Sequence, residues 1–519
     1  MPFQGLLNLG ARFCRETRGN VATIFALTLV PVALLSGGAV DLSQSMNARS
    51  RLAQALDAAA LAVGVNTSLS SSEATAIAND FIDANYPGRE LGVVQNINVR
   101  IDDESDTVIV SGEARVRTTM LGMIGLDYIT VHWESEVQRA RQRLELVMVL
   151  DNTGSMGGSK IRDLRDSAEL LTEILFDAAD DPEDVKIGLV PFAATVNLGT
   201  NYERAWWLDP DARSPIHAEW AGGSTVEIET CTGRGRRRRC TTEEITINHW
   251  DLFDDLRNTP WGGCVEARAI PYDIDDTAPS ISSPSTLFVP YFAPDEPDND
   301  NDYSNDYLSD GVSGSALDRL INIDKYDNGR PRGGGPNGAC TTEPITPLTT
   351  NRTLLLNAID DMDASGTTNI PQGVGWGIRV LSPQEPFTEG AAYDDREIIK
   401  AMVILTDGEN VLRGRSTDMR SDYSAYGFSV HGRLGTTSSS SNTLSNRLDT
   451  RLEDACIYAK AQGIRVYTIT FQVNSSSTRS LMQDCASHPS LYFDSPSSEA
   501  LEDAFEMIAG DLTNLRLSR

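Results

Sequence analysis

The sequence predicts an α/β fold in which a mostly parallel sheet carries helices on both faces. From residue 144 onward, continuous apolar runs alternate with stretches of amphipathic helical periodicity. Such runs indicate strands covered on both sides, and their alternation with helices indicates parallel crossovers. Ligands of such sheets bind beyond the carboxyl ends of the strands. The expected strands are 144–150, 185–194, 398–406, 464–473 and 490–495, and the expected helices are 160–176, 353–362, 370–381, 451–463, 478–486 and 498–512.

An uncharged apolar segment near the N-terminus predicts a membrane anchor. The stretch from Val21 to Val40 carries no charge, and about 20 such residues can cross a bilayer as a helix. Three arginines precede it and Asp41 follows it, so the positive-inside rule keeps the N-terminus cytoplasmic and exports the rest. A cleaved signal peptide is the alternative, but the segment is long and no clean Ala-x-Ala site follows. We therefore expect a single-pass membrane protein.

The exported part divides into a helical stalk, a small domain and a large domain. Apolar residues recur every three or four positions from Leu42 to Val63, which predicts that the anchor helix continues as a stalk. The stalk must pack either on its own next domain or on a partner helix. A helical stretch followed by alternating strands then predicts a small α+β domain. We place the boundaries at 1–66, 67–140 and 141–519.

Two insertions interrupt the large domain, at about 197–345 and 411–444. The first holds four of the six cysteines that follow the anchor and has too little apolar periodicity for a core of its own. An even number of exported cysteines indicates disulfides. Six cysteines permit about 15 pairings, among which we favour those between neighbours in sequence: Cys231–Cys240, Cys264–Cys340 and Cys456–Cys485.

The charge balance excludes nucleic acid as a general partner. Lysine and arginine total 44 against 74 aspartate and glutamate, for a formal net charge of −30. Binding to phosphate backbones requires a basic face instead. An acidic chain of this kind suits a soluble body that binds cations locally.

Three loops at one edge of the predicted sheet, where ligands of such sheets bind, carry oxygen-bearing side chains. Asp151, Thr153 and Ser155 follow the first strand with D-x-T-x-S spacing, Thr368 stands just before a helix, and Asp407 ends another strand. Hydroxyl and carboxylate oxygens are ligands that Mg²⁺ prefers. The sequence therefore predicts a divalent-metal site at one edge of the sheet, with no catalytic residues assigned.

This ordered set resembles the metal-ion-dependent adhesion site of von Willebrand factor A (VWFA) domains, written D-x-S-x-S, then Thr, then Asp. The resemblance implies a Rossmann-like VWFA fold and Mg²⁺, or Mn²⁺ or Ca²⁺, as the metal. Thr153 and Ser155 would then bind the metal directly, Thr368 matches the family threonine, and Asp151 and Asp407 would act mainly through water. Thr153 departs from the common serine, and its methyl group restricts the rotamer. In this family an acidic residue of a partner typically completes the metal shell.

Residues 18–64 resemble the anchor of TadE/TadG-like proteins, which help to assemble the Flp (tight-adherence, Tad) pilus. The Arg-Gly-Asn entry, the apolar run, the Val-Asp exit and the LDAAALA stretch carry the resemblance. The stretches WGGCVEAR at 261–268 and LFVPYFAPDEPD at 287–298 are similar to the insertion of TadG-type chains. The resemblance implies a bacterial inner-membrane protein with a periplasmic or cell-surface body, and pilus-assembly machinery as partner.

Three other segments leave alternatives open. The acidic stretch 295–310 is interpreted as a solvated loop, with an irregular Ca²⁺ loop as the alternative. The arginine-rich stretch 231–240 is interpreted as a disulfide hairpin, with a docking finger for an acidic partner or an anionic surface as the alternative. Zinc is disfavoured because no Cys-x-x-Cys occurs and the five histidines are scattered in sequence.

These observations favour a binding and assembly protein over an enzyme. No Ser-His-Asp or Cys-His set stands at convincing spacing, and no histidine is marked as a general base. The alternative is a surface adhesin that contacts host or matrix ligands directly.

Overall fold

The computed structural model describes residues 19–64, 69–86, 92–102, 107–138, 142–179, 181–232, 239–298 and 303–517. The chain forms two compact units, one from residues 1–141 with 517–519 and the other from residues 142–516. We describe them separately as the N-terminal unit and the large unit.

A long helix dominates the N-terminal unit. Helix α1 spans Gly19–Gly64 and passes through Pro31. Its part from Ile24 onward is, among the described residues, the one helix long and apolar enough to cross a membrane. The unit continues with α2 (Ser71–Asn85) and an antiparallel sheet of β1 (Val93–Asp102), β2 (Thr107–Arg117) and β3 (Tyr128–Gln138), in the order β1-β2-β3.

The two halves of α1 have different surroundings. Leu27 and Leu35 in the first half are largely exposed, as an uncovered membrane segment would be. In the second half, Leu52, Leu56 and Val63 are buried in one cluster with residues of α2 and β2. This face of the stalk therefore packs on the small domain that follows it in the chain, and not on a partner helix.

Asp41, at the end of the apolar stretch, holds the loop between β2 and β3. One carboxylate oxygen accepts from the backbone N–H of Thr119 (2.9 Å), and the other accepts from Met120 and Leu121 (both 2.8 Å). Hydrogen bonds to a charged group each contribute about 1.5–3 kcal/mol. This carboxylate thus fixes the loop to the helix.

Asp41→Ala should release this loop. We expect the amides of Thr119, Met120 and Leu121 to exchange hydrogen at least about tenfold faster, because tenfold corresponds to about 1.4 kcal/mol. Hydrogen exchange read by mass spectrometry measures the change. Asp57→Ala, which removes an exposed carboxylate of the same helix, is the control. Unchanged exchange in the Asp41 variant would show that the carboxylate does not hold the loop.

The large unit is built on a mixed sheet whose centre is parallel. Its strands are β4 (Arg143–Asp151), β5 (Val185–Phe192), β6 (Val196–Asn197), β9 (Cys264–Val265), β10 (Thr346–Thr349), β11 (Ile398–Thr406), β12 (Arg465–Phe471) and β13 (Tyr492–Ser495). They are ordered β13-β12-β11-β4-β5-β6-β9, and β10 pairs with β5. The pairs from β13 to β5 are parallel, whereas β6, β9 and β10 add antiparallel pairs that the sequence patterns did not predict.

Helices cover both faces of this sheet, as predicted. One core cluster joins strand residues to α3 (Ser159–Asp177), α6 (Arg352–Asp360) and α10 (Ser498–Leu517). The other joins them to α7 (Ile370–Leu381), α8 (Ser441–Ala461) and α9 (Ser476–Cys485). The remaining elements are the short helices α4 (His249–Asp255) and α5 (Ala316–Leu320) and the hairpin of β7 (Thr225–Thr232) and β8 (Arg239–Thr246).

The first insertion is part of the main core, and disulfides alone do not order it. Trp220, Trp250 and Phe292 are buried in the same cluster as α7. This burial was not predicted, because the aromatic residues of the segment follow no helical or strand period. They are buried instead by irregular chain packed over the sheet.

The disulfide predictions hold where the structure describes both side chains. Cys264–Cys340 and Cys456–Cys485 are bonded, with Cα–Cα distances of 5.5 and 5.1 Å. Cys240 is also disulfide-bonded, and Cys231 lies opposite it in the hairpin register. The arginines at 234 and 236–238 lie outside the described residues, so the docking-finger interpretation stays a prediction.

Two local predictions were wrong. Helix α8 begins at Ser441, with Ser440 as its N-cap, about ten residues before the start of the helix predicted at 451–463. In the acidic segment, Asp295, Glu296 and Asp310 are buried and not solvated. Asp295 pairs with Lys325, Asp310 pairs with Arg319, and Glu296 accepts from two backbone N–H groups. Protein groups therefore already hold these three carboxylates. Residues 299–302 lie outside the described residues, so the Ca²⁺ alternative stays untested for them.

Candidate metal centre

The parallel register of two adjacent strands brings the predicted acidic residues together. Leu150 of β4 lies beside Leu405 of β11. The strands run in the same direction, so Asp151 and the residues after Leu405 meet at one edge of the sheet. Asp151 and Asp407 are separated by more than 250 positions in sequence but belong to one site.

Asp151 is fully buried and has two hydrogen-bond donors. Its Oδ1 accepts from the Thr153 backbone N–H at 2.9 Å, and its Oδ2 accepts from the Thr406 hydroxyl at 2.7 Å. The first bond closes the turn after β4, and the second crosses to β11. Together these two bonds fix the orientation of the Asp151 carboxylate.

Ser155 and Asp407 are in direct contact. The Ser155 hydroxyl donates to Asp407 Oδ1 at 2.6 Å and lies 2.9 Å from the Thr153 hydroxyl. The side chain of Asp407 is buried, and its Oδ2 accepts from Lys160 Nζ at 2.6 Å. A chain of polar contacts therefore connects Thr153, Ser155, Asp407 and Lys160.

Thr368 lies in the adjacent loop. Two backbone hydrogen bonds hold that loop against the loop that follows β4: Gly154 N donates to Gly366 O (3.0 Å), and Ser365 N donates to Asn152 O (2.8 Å). Thr368 O accepts from Val411 N at 2.8 Å. The threonine is thus at the same edge of the sheet as Asp151 and Ser155.

The electrostatics of the site favour an added cation. Burial and the nearby Asp407 carboxylate raise the pKa of Asp151 to about 6, although hydrogen bonds from Thr153 and Thr406 oppose the shift. A carboxyl whose pKa is higher in the folded state than in the unfolded chain destabilises the fold once it is ionised, that is, as pH rises. At neutral pH, a divalent cation would offset that penalty. Lys160 supplies one positive charge to Asp407, which leaves Asp151 unpaired.

The donor set suits a hard cation. Hydroxyl and carboxylate oxygens with no sulfur or imidazole are the ligands that Mg²⁺, Mn²⁺ and Ca²⁺ take. No group of three or more His, Cys, Asp or Glu residues suited to a metal occurs among the described residues. A site with two carboxylates and three hydroxyls is of a different kind, and its residues fit the group that the sequence implied.

Sequence reasoning missed two residues of this site. Thr406 ends an apolar strand run and Lys160 begins a helical stretch, so neither stood out by type or spacing. Their roles follow from contacts across elements. The one available indication in the sequence was the acidic residue at the end of each strand, Asp151 and Asp407, since Thr406 directly precedes Asp407.

A hollow adjoins the site on the side of the second insertion. Thr367 and Asn369 line it from the Thr368 loop, and Val411, Arg413 and Tyr423 line it from the insertion. The segment called 411–444 thus forms a wall next to the candidate metal centre.

The histidines are less dispersed than their sequence positions indicate. The rings of His217 and His249 lie 4.4 Å apart between centroids, and His217 Nδ1 lies 2.8 Å from Asp209 Oδ2. All three side chains are buried, and His249 also contacts the Pro290 carbonyl. This cluster joins parts of the first insertion, and its side chains are shielded from solvent.

The N-terminal segment matches a known family. Residues 19–66 match the family model described as Putative Flp pilus-assembly TadE/G-like. The predicted resemblance of residues 18–64 to TadE/TadG-like anchors is thereby confirmed. The match covers α1 and does not extend into the large unit. No curated protein matches the sequence.

Several solved pilus proteins are distantly similar. The pilus adhesin SpaC from Lactobacillus rhamnosus GG is 12% identical with a TM-score of 0.32, over 81% of this chain and 34% of SpaC. The chain thus spans about a third of SpaC. The vWF domain of the type V pili tip protein Mfa5 from Porphyromonas gingivalis is 10% identical with a TM-score of 0.33, over 73% of this chain and 97% of that domain. The PilB minor pilin from Streptococcus sanguinis is 12% identical with a TM-score of 0.30, over 81% of this chain and 78% of PilB.

Proposed function

We propose that this chain is a membrane-anchored pilus-assembly protein of the Tad type, whose large unit is a VWFA domain that binds a partner through a metal ion. The observation that carries the proposal is the convergence of Asp151, Ser155 and Asp407, with the Thr153 hydroxyl, at the carboxyl edge of a parallel sheet. The TadE/G-like match of residues 19–66 supports the pilus assignment.

When bound, a divalent cation would supply an electrophilic centre at this edge of the sheet, to which a carboxylate of the partner could bind. Thr153, Ser155 and Thr368 would hold it through hydroxyls, and Asp151 and Asp407 would balance its charge, mainly through water. Neutral direct ligands leave a cation more strongly attracted to an incoming carboxylate than charged ligands would. The proposed role is therefore binding and not catalysis.

The proposed partner is a component of the pilus machinery, and the large unit binds it on the outer side of the inner membrane. In this topology α1 crosses the bilayer once, with the N-terminus cytoplasmic and the large unit periplasmic or at the cell surface. The hollow beside Thr367 and Asn369 would receive residues flanking the partner's acidic side chain.

Lys160 should compete with the metal for Asp407. We expect Lys160→Met to bind Mg²⁺ at least about tenfold more tightly, because like charges within a few ångströms repel by more than about 1 kcal/mol in this environment. Calorimetric titration of the full chain with Mg²⁺ measures the change. Lys186→Met, near the start of β5 and so at the other edge of the sheet, is the control. Weaker binding in the Lys160 variant would show that the ammonium supports the site.

The proposed function is tested by metal-dependent capture. Tagged full-length protein is recovered from solubilised membranes with Mg²⁺ or with EDTA, and the bound proteins are identified by mass spectrometry. We expect a pilus-assembly component that is retained with Mg²⁺ and lost with EDTA. The same set of proteins under both conditions would contradict the proposal.

The location of the large unit separates assembly from adhesion. An assembly protein should resist added protease on intact cells and become sensitive once the outer membrane is permeabilised. Cleavage on intact cells would instead support an adhesin that contacts host or matrix ligands.

A further inference from the structure

The loop between β2 and β3 exposes an unusual run of apolar side chains. We call residues 118–127 the apolar loop. Met123, Ile124 and Leu126 are 78%, 57% and 55% exposed, and Met120 is 40% exposed. Single exposed apolar residues are common, but a contiguous exposed group marks an interaction surface.

The apolar loop is built against the end of the candidate membrane segment. The Met120 side chain occupies the space where a β-carbon of Gly37 would lie, and Leu121 Cδ2 would lie 3.3 Å from a β-carbon of Gly38. Two consecutive glycines therefore let the loop approach the helix backbone. The Asp41 carboxylate then ties down the loop's N–H groups.

This contact places the loop at the depth of the apolar segment. Gly37 and Gly38 precede Asp41 and belong to the uncharged stretch 21–40. At about 1.5 Å per residue, Gly37 lies roughly 6 Å inward from Asp41 along the helix axis. A bilayer that covers the last turn of the apolar stretch must therefore also meet the loop.

The backbone of the loop is suited to an apolar medium. A segment in the membrane must satisfy its polar backbone groups internally. The N–H groups of Thr118, Met123, Gly125 and Leu126 donate to carbonyls of the loop, and those of Thr119, Met120 and Leu121 donate to Asp41. The Thr118 hydroxyl donates to Leu126 O. Seven of the ten N–H groups of residues 118–127 thus have an acceptor within the unit.

The flanks of the loop carry groups that suit lipid headgroups. Arg117 lies opposite Tyr128 in the strand register, and the Arg115 guanidinium lies 4.3 Å from the centre of the Tyr128 ring. Tyrosine concentrates at both membrane interfaces, and a nearby arginine can extend its charged end to lipid phosphate. Asp127, the one carboxylate of the loop, stands at its C-terminal end, directly before Tyr128.

We infer that the apolar loop inserts Met120, Met123, Ile124 and Leu126 into the lipid bilayer beside α1, as a second membrane contact of the N-terminal unit. This inference rests on the proposed membrane anchor. Together the helix and the loop would hold the small β-sheet in one orientation on the membrane, which a single helix cannot do because it is free to rotate about its axis.

Fluorescence quenching in vesicles tests the inference. The full chain with Cys14→Ser is given one added cysteine, Ile124→Cys, and labelled with an environment-sensitive fluorophore under non-reducing conditions. Two matched sites are labelled separately: Val30→Cys in the apolar stretch and Glu136→Cys on β3. Glu136 is exposed and lies about 27 Å along the strand from Tyr128. The variant without an added cysteine gives the background labelling. Vesicles of phosphatidylethanolamine and phosphatidylglycerol are prepared with and without lipids spin-labelled on the acyl chain.

We expect labels at 30 and 124 to lose more than half of their fluorescence to the spin-labelled lipid and to resist aqueous iodide, with the reverse at 136. A label at 124 that iodide quenches and the lipid does not, while position 30 responds to the lipid, overturns the inference and leaves the anchor intact. A label at 124 shielded from both quenchers also overturns it, because protein then covers the loop. No lipid quenching at position 30 would refute the anchor itself.

Discussion

The double variant Asp151→Ala with Asp407→Ala should lose measurable Mg²⁺ binding and should block pilus assembly while the large unit stays folded. Both carboxylates lie in one site, and no other carboxylate among the described residues contacts its hydroxyls. Without them, three neutral hydroxyls cannot balance a divalent charge. We expect an affinity loss of at least about 100-fold, which corresponds to about 2.7 kcal/mol.

The fold should survive because the ionised Asp151 carboxylate destabilises the metal-free protein. Its pKa is raised to about 6 by burial and by Asp407, so above that pH the charged form opposes folding. Removing both groups also removes their repulsion, and Lys160 is partly exposed and can turn to solvent. Calorimetry with Mg²⁺, circular dichroism and electron microscopy of pili are the measurements.

Two further variants make this test specific. Glu502→Ala with Asp503→Ala removes the same charge from the exposed side of α10 and should leave Mg²⁺ binding and piliation unchanged. Asp151→Asn with Asp407→Asn retains the side-chain shape and should still lose the metal. Normal piliation in either variant of the site would reject the metal-bridged role, even if the TadE/G-like anchor stands.

Lys325→Met should strongly destabilise the large unit, because Lys325 is the buried partner of Asp295 in the acidic segment. Lys325 Nζ lies 2.9 Å from Asp295 Oδ2, and both side chains are fully buried. The ammonium also donates to the Asp295 and Arg319 carbonyls, at 2.7 and 3.0 Å. Breaking a buried ion pair from one side typically costs about 3–5 kcal/mol, because an uncompensated charge remains.

Urea unfolding followed by tryptophan fluorescence measures this effect. Six of the chain's seven tryptophans belong to the large unit, and the seventh, Trp133, belongs to the N-terminal unit. Arg204→Met, which breaks an exposed pair with Asp254, should cost only about 0–1 kcal/mol. Adding Asp295→Asn to Lys325→Met should restore most of the loss, because the amide oxygen can still accept from the N–H groups of Tyr307 and Leu308. A Lys325 variant as stable as the Arg204 variant would show that the pair contributes little.

Local patterns were sufficient for the long helix and the central strands. The apolar run and three-to-four spacing predicted the helix observed at Gly19–Gly64, and continuous apolar runs predicted β4, β5, β11 and β12. These elements follow from burial of neighbouring residues, which a sequence displays directly. The edge pairings of β6, β9 and β10 involve two to four residues each and leave no such pattern.

The candidate site was predictable in part for the same reason. A strand that ends in an acidic residue is visible in sequence, so Asp151 and Asp407 could be proposed together. The hydrogen bond from Thr406 to Asp151 and the ion pair of Lys160 with Asp407 join different elements. Their existence depends on strand register and helix position, which no single segment encodes.

The sequence by itself determined which segments are apolar enough to be buried or to cross a membrane, and which strand ends carry oxygen ligands. Only the tertiary structure decided the partners of charged groups: Asp295 with Lys325, Asp407 with Lys160, and Asp41 with the apolar loop. The physical reason is that apolar burial depends on area and shows as a period, whereas a buried charge requires one particular partner within a few ångströms. That partner is supplied by chain folding, often from far along the sequence.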